Sequence, residues 1–145
     1  MLLGQNRDQL RAVYVEAWNF FRLGKSLNPL QIQIVAVIEQ HPEYHSLLEN
    51  ADQALGRDYL PELGETNPFL HMGMHLAIQD QISTDRPAGI GRLYEQLQAK
   101  TADSHALQHR LMDCLAEMIW QAQRDGEPPD EQRYLACIKT LAEDG

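Results

Sequence analysis

Three observations predict an all-α fold for this chain of 145 residues. Apolar side chains recur at the three- and four-residue spacing of amphipathic helices. An Asn-Pro pair occurs twice, at Asn28-Pro29 and Asn67-Pro68, and each supplies an N-cap followed by a proline at the first helical position. No segment sustains the alternation of a half-buried strand. The expected architecture is a single compact bundle of about six helices over residues 1–145, kinked near Pro42.

Each element follows from local chemistry. Asn6-Arg7-Asp8 opens a helix that places Leu10, Val13, Tyr14, Ala17, Trp18 and Phe21 on one face, and Gly24 is its expected stop. After Asn28-Pro29, the residues Leu30, Ile34, Val37, Ile38 and His41 keep helical spacing. Pro42 must interrupt that run, because a proline removes a backbone donor and clashes with the preceding turn. A further helix is expected from Pro42, carrying Tyr44, Leu47, Leu48, Ala51 and Leu55, and then a loop over Gly56–Thr66. The helix after Asn67-Pro68 is apolar on nearly every side, as a helix buried all round must be. A Ser83–Gly91 loop precedes a helix with Leu93, Tyr94 and Leu97. Asp103 or Ser104 caps a long helix that runs to about Arg124 and stops before Gly126. Pro128-Pro129-Asp130 starts the last helix, which carries Tyr134, Leu135, Ile138 and Leu141.

Composition narrows the functional classes. Twenty-one acidic against twelve basic residues give a net charge of −9, and the basic residues form no stripe. Both features oppose binding to nucleic acid or to an anionic membrane surface. No apolar stretch approaches the roughly 20 residues that span a bilayer, and the N-terminal MLLGQNRDQLR is too polar for a signal peptide. A cytoplasmic location is therefore expected. Cys114 and Cys137 belong to no CxxC motif and are expected to be small buried hydrophobes.

The chemistry-bearing feature is histidine. All six form pairs four residues apart: His41 with His45, His71 with His75, His105 with His109. On a helix that spacing puts two imidazoles on one face, and imidazole is the commonest protein metal ligand. Metal ligands are expected at His71, His75, His105 and His109, with Asp113 as a fifth ligand or as acceptor of a ligand's second N–H. His41, His45 and Glu117 are secondary candidates, because Pro42 breaks the helix that would align the first pair. Asp80, Asp103 and Glu39 are further carboxylates for such supporting contacts. A nitrogen-rich set of this kind suits zinc, iron or nickel, while ExxH di-iron and HExxH zincin motifs are absent. Haem would need a larger apolar slot. The rival reading is a non-catalytic interaction module, in one form a homodimer, whose histidines are polar pins of the core and whose Trp18, Phe20 and Phe21 turn more than one face.

The runs NPFLHMGMHLAI at 67–78, HPEYH at 41–45, DRPAGI at 85–90, HRLMDCLAEMIW from His109 and GEPPDEQRYL from Gly126 resemble an uncharacterised proteobacterial domain-of-unknown-function family. The resemblance extends from about residue 25 to residue 141. It implies a bacterial cytoplasmic protein of one helical domain, and no activity, cofactor or catalytic residue. It also implies glutamate where this chain has Asp80 and Asp113, and the shorter arm would alter any direct ligation there.

Overall fold

The structure, a computed structural model, describes residues 7–56 and 67–144. Its described elements are helical: α1 (Arg7–Arg22), α2 (Pro29–Glu39), a 3-10 turn (Pro42–Tyr44), α3 (His45–Leu48), α4 (Ala51–Gly56), α5 (Pro68–Thr84), α6 (Ile90–Gln98), α7 (Ser104–Asp125) and α8 (Glu131–Asp144). No strand occurs among the described residues. Asn6 and most of the loop expected over Gly56–Thr66 lie outside them. By backbone packing the chain divides into two compact units, Met1–Leu76 and Ala77–Gly145, with the boundary inside α5.

In the first unit, α1 packs on α2, α3 and α4. Tyr14, Ala17 and Trp18 of α1, Ile34, Val35, Val37 and Ile38 of α2, and Leu48, Ala54, Phe69, Met72 and Leu76 form its core. Gly24 ends α1 in the left-handed region, at φ 71°, where a side chain is strained. The Gly24 amide donates to Phe21 and the Lys25 amide to Phe20, the paired bonds of a Schellman C-cap. Asn28 begins α2 with a capping box: its side chain accepts from the Gln31 amide at 2.8 Å, and the Gln31 side chain accepts from the Asn28 amide at 2.9 Å.

The chain departs from the expected pattern just after Pro42. The single helix expected from Pro42 to Leu55 is a 3-10 turn followed by two short helices. Helix formation from a proline start is local, but each short piece is held by what it buries: Leu48 from α3 and Ala54 from α4 are fully enclosed. Such tertiary anchoring overrides the periodicity of the run.

In the second unit, α6, α7 and α8 pack on one another. They enclose Ile90, Tyr94 and Leu97 of α6, Leu107, Leu111 and Leu115 of α7, and Tyr134 and Ile138 of α8. The Tyr134 hydroxyl donates to Gln81 Oε1 at 2.6 Å, tying α8 to the end of α5. Asp103 caps α7 by accepting from the Ala106 amide, Gly126 ends it at φ 65°, and Asp130 caps α8 by accepting from the Arg133 amide.

The expectation of two separate apolar cysteines is corrected here. Cys114 of α7 and Cys137 of α8 form a disulfide, with Cα atoms 5.8 Å apart. Cys114 lies about as far before Gly126 as Cys137 lies after it. Folding α8 back on α7 at that glycine therefore brings the two residues level. Among the described residues no helix is long and apolar enough to cross a membrane.

Candidate metal centre

Three histidines of the first unit meet. The ring of His41 lies 5.0 Å from that of His71 and 4.9 Å from that of His75, both edge-to-face. His71 and His75, one turn apart on α5, are 4.9 Å apart. His75 is completely buried, His41 is 2% exposed, and His71 is half-buried. Tyr44 stacks on His41 at 5.2 Å.

Pro42, which made His41 a secondary candidate, is what places it. A residue before proline is driven out of the helical region, and His41 sits at φ −128°, ψ 69°. The chain thus leaves α2 at His41, and the ring turns back along the helix to reach the Val37 carbonyl, 2.7 Å from Nδ1. A carbonyl only accepts, so Nδ1–H donates. In the neutral ring the lone pair is then on Nε2. Metal-ligating histidines recurrently show this pattern, with one nitrogen given to a carbonyl and the other to the ion.

His45 has a different task. Its Nε2 donates to the Ile38 carbonyl at 2.9 Å, and its ring lies 4.5 Å from that of Trp18. The two imidazoles of the HPEYH run thereby add side-chain donors to consecutive carbonyls at the end of α2, which also accept from the Gln40 and His41 amides. His45→Phe keeps a ring against Trp18 and removes the donor. It is expected to cost about 1 kcal/mol in urea denaturation, and no loss would separate His45 from the capping of α2.

In the second unit, His105 and His109 are one turn apart near the start of α7, with ring centroids 4.3 Å apart and both rings half-buried. Asp113 and Glu117 continue along the same helix and are exposed; Glu117 accepts from the Gln121 side chain at 3.4 Å. The core side of α7 carries Leu107, Leu111 and Leu115, as the periodicity predicts. The i, i+4 spacing therefore delivers two adjacent imidazoles at both His71/His75 and His105/His109. In the first unit a third ring, from His41, joins them. Each group supplies neutral nitrogen donors of the kind that hold zinc, iron or nickel.

The model of the family described as "Domain of unknown function (DUF1841)" matches residues 6–140. The chain belongs to the DUF1841 family. The match takes in all six histidines, both cysteines and helices α1 to α7 in full. The resemblance read from the NPFLHMGMHLAI and HRLMDCLAEMIW runs is thus borne out as to an uncharacterised domain family. No curated protein and no solved structure matches this DUF1841 chain.

Proposed function

We propose that this protein binds a divalent transition metal, zinc, iron or nickel, through its paired histidines. The observation that carries the reading is the convergence of three imidazoles in the first unit: the rings of His41, His71 and His75 lie 4.9 to 5.0 Å apart, with His41 and His75 buried. The His41 Nδ1–H donates to the Val37 carbonyl, the supporting contact that a metal-ligating histidine recurrently makes. In the second unit α7 carries a further adjacent pair, His105 and His109. Imidazole sets of this kind serve both closed and open metal sites, so the reading stops at metal binding and assigns no reaction.

The test is elemental analysis of protein purified without a histidine tag or chelator. Bound metal is expected, with His71→Ala/His75→Ala lowering it while far-UV circular dichroism stays helical. His45→Phe is expected to keep the metal, since His45 serves the end of α2. Full metal in the double variant, or no uptake by the wild type when zinc, iron and nickel are added, would overturn the assignment.

A second reading rests on the surface of the first unit. Phe21, Leu23, Leu30 and Ile32 are exposed at the end of α1 and the start of α2, Leu23 by 70%. Apolar side chains grouped in this way suit a non-catalytic interaction surface, with the histidines as core pins. Light scattering across micromolar concentrations separates it: association supports this reading, and a monomer throughout counts against a homodimer.

A further inference from the structure

The two sulfurs of the α7–α8 hairpin stand in unlike surroundings. Cys114 is 3% exposed, on the core side of α7. Cys137 is half-buried. Both line a cavity of about 240 Å³, which Arg133, Tyr134 and Thr140 of α8 and Glu117 of α7 line as well. That volume admits a small oxidant or thiol alongside water. Arg133 is four residues before Cys137 on α8, hence on the same face, whereas the cavity's carboxylate, Glu117, is three residues after Cys114 on α7 and so on the Cys114 side. A permanent positive charge beside a thiol favours its thiolate, and thiolate character with access is what makes a cysteine reactive. The hairpin does not depend on the covalent bond alone, since Tyr134 and Ile138 are enclosed and Tyr134 is hydrogen-bonded to Gln81.

We propose that Cys114 and Cys137 form a peroxide-responsive redox site, in which Cys137 is the reacting thiol and Cys114 the resolving one. In the reduced protein, the Cys137 thiolate attacks the terminal oxygen of a hydroperoxide. The O–O bond breaks, the alcohol or water leaves after taking up a proton, and Cys137 is oxidised to the sulfenic acid. The Cys114 thiol then attacks Sγ of Cys137. An S–S bond forms and water leaves, carrying the sulfenic hydroxyl and the thiol proton. Two cysteines have together given two electrons to one peroxide. A low-molecular-weight dithiol reverses the change by successive thiol–disulfide exchange, ending as its own disulfide. Such a pair differs from a structural staple, which persists in an oxidising compartment and has no need of a cavity at its sulfurs.

The experiment uses the full chain, reduced with dithiothreitol and freed of it under native conditions with a chelator present. Substoichiometric maleimide is expected to label Cys137 on the order of tenfold faster than Cys114, read by peptide mass. One equivalent of hydrogen peroxide is expected to restore the disulfide. In Cys114→Ser, dimedone is expected to trap a sulfenic acid on Cys137, whereas Cys137→Ser is expected to leave Cys114 unreacted. The maleimide readout needs no variant, so a poorly folding substitution leaves the proposal testable. Equal labelling of the two thiols, peroxide consumption no faster than that of free cysteine, or reduction only as far-UV ellipticity is lost would each overturn it.

Discussion

Phe69→Ala is expected to destabilise the first unit by about 3–5 kcal/mol, the range for removing a large aromatic side chain from a packed core. Phe69 is almost wholly enclosed and meets Tyr14 edge-on at 5.7 Å between centroids. It also supports a buried charge. The Arg11 guanidinium lies 4.9 Å from the centre of the Phe69 ring, and its Nη1 donates to the Ala54 carbonyl at 3.0 Å. Arg11 is itself buried, so loss of the ring removes both apolar contact and a desolvated cation–π partner worth up to about 2 kcal/mol. The measurement is a urea titration, with the midpoint falling at unchanged slope. Leu70→Ala is the control. It alters the next residue of α5, which is 61% exposed, and is expected to change stability by no more than about 0.5 kcal/mol. A loss below about 1 kcal/mol for Phe69→Ala would mean that the ring does not carry this corner of the core.

Phe69 was legible as part of an apolar helix because NPFLHMGMHLAI has few polar residues. The expectation that this helix is buried all round is corrected at Leu70, which is exposed within that run. The helix starts were legible for a local reason. Asn28, Asn67, Asp103 and Asp130 each accept from amides two or three residues ahead, so the information lies within one turn of chain. The adjacency of His71 with His75 and of His105 with His109 is likewise a consequence of i, i+4 spacing.

What sequence spacing missed is set by contacts distant along the chain. His41 meets His71 and His75 across some thirty residues, and the break at Pro42 that seemed to disqualify it turns its ring back along α2. The fate of the segment after Pro42 was decided by the enclosure of Leu48 and Ala54, not by its period. The Cys114–Cys137 pairing left one usable trace, the near-symmetric placing of the two residues about Gly126, which becomes informative once α7 and α8 are taken as an antiparallel hairpin. Exposure of Asp113 was not legible from its place one turn after His109. In the fold Ile119 and Trp120 are themselves exposed, and Trp120 lies 4.7 Å beneath the Arg124 guanidinium.

Stability is expected to fall on the alkaline side, through one buried tyrosine in each unit. Burial pushes the Tyr14 hydroxyl up from 10.0 to about 12, because a phenolate inside the core would lose its hydration. Burial also raises Tyr134, whose hydroxyl must stay protonated to donate to Gln81. A group whose folded pKa lies above its unfolded one holds its proton more tightly when folded. The resulting stability is fully present below the unfolded value near pH 10 and is lost as pH rises through the folded value. At about 1.4 kcal/mol per unit, Tyr14 alone accounts for about 2–3 kcal/mol by pH 12. Urea midpoints taken between about pH 9 and pH 12 measure the slope, and tyrosinate absorbance reports the titration directly. Tyr14→Phe removes the ionisable group while keeping the ring against Phe69, so it is expected to flatten that slope while changing stability little at neutral pH. Tyr134→Phe is expected to flatten it too, at the cost of about 1 kcal/mol at neutral pH from the lost bond to Gln81. An undiminished alkaline slope in the double variant would show that neither hydroxyl is held in the core as the fold places it.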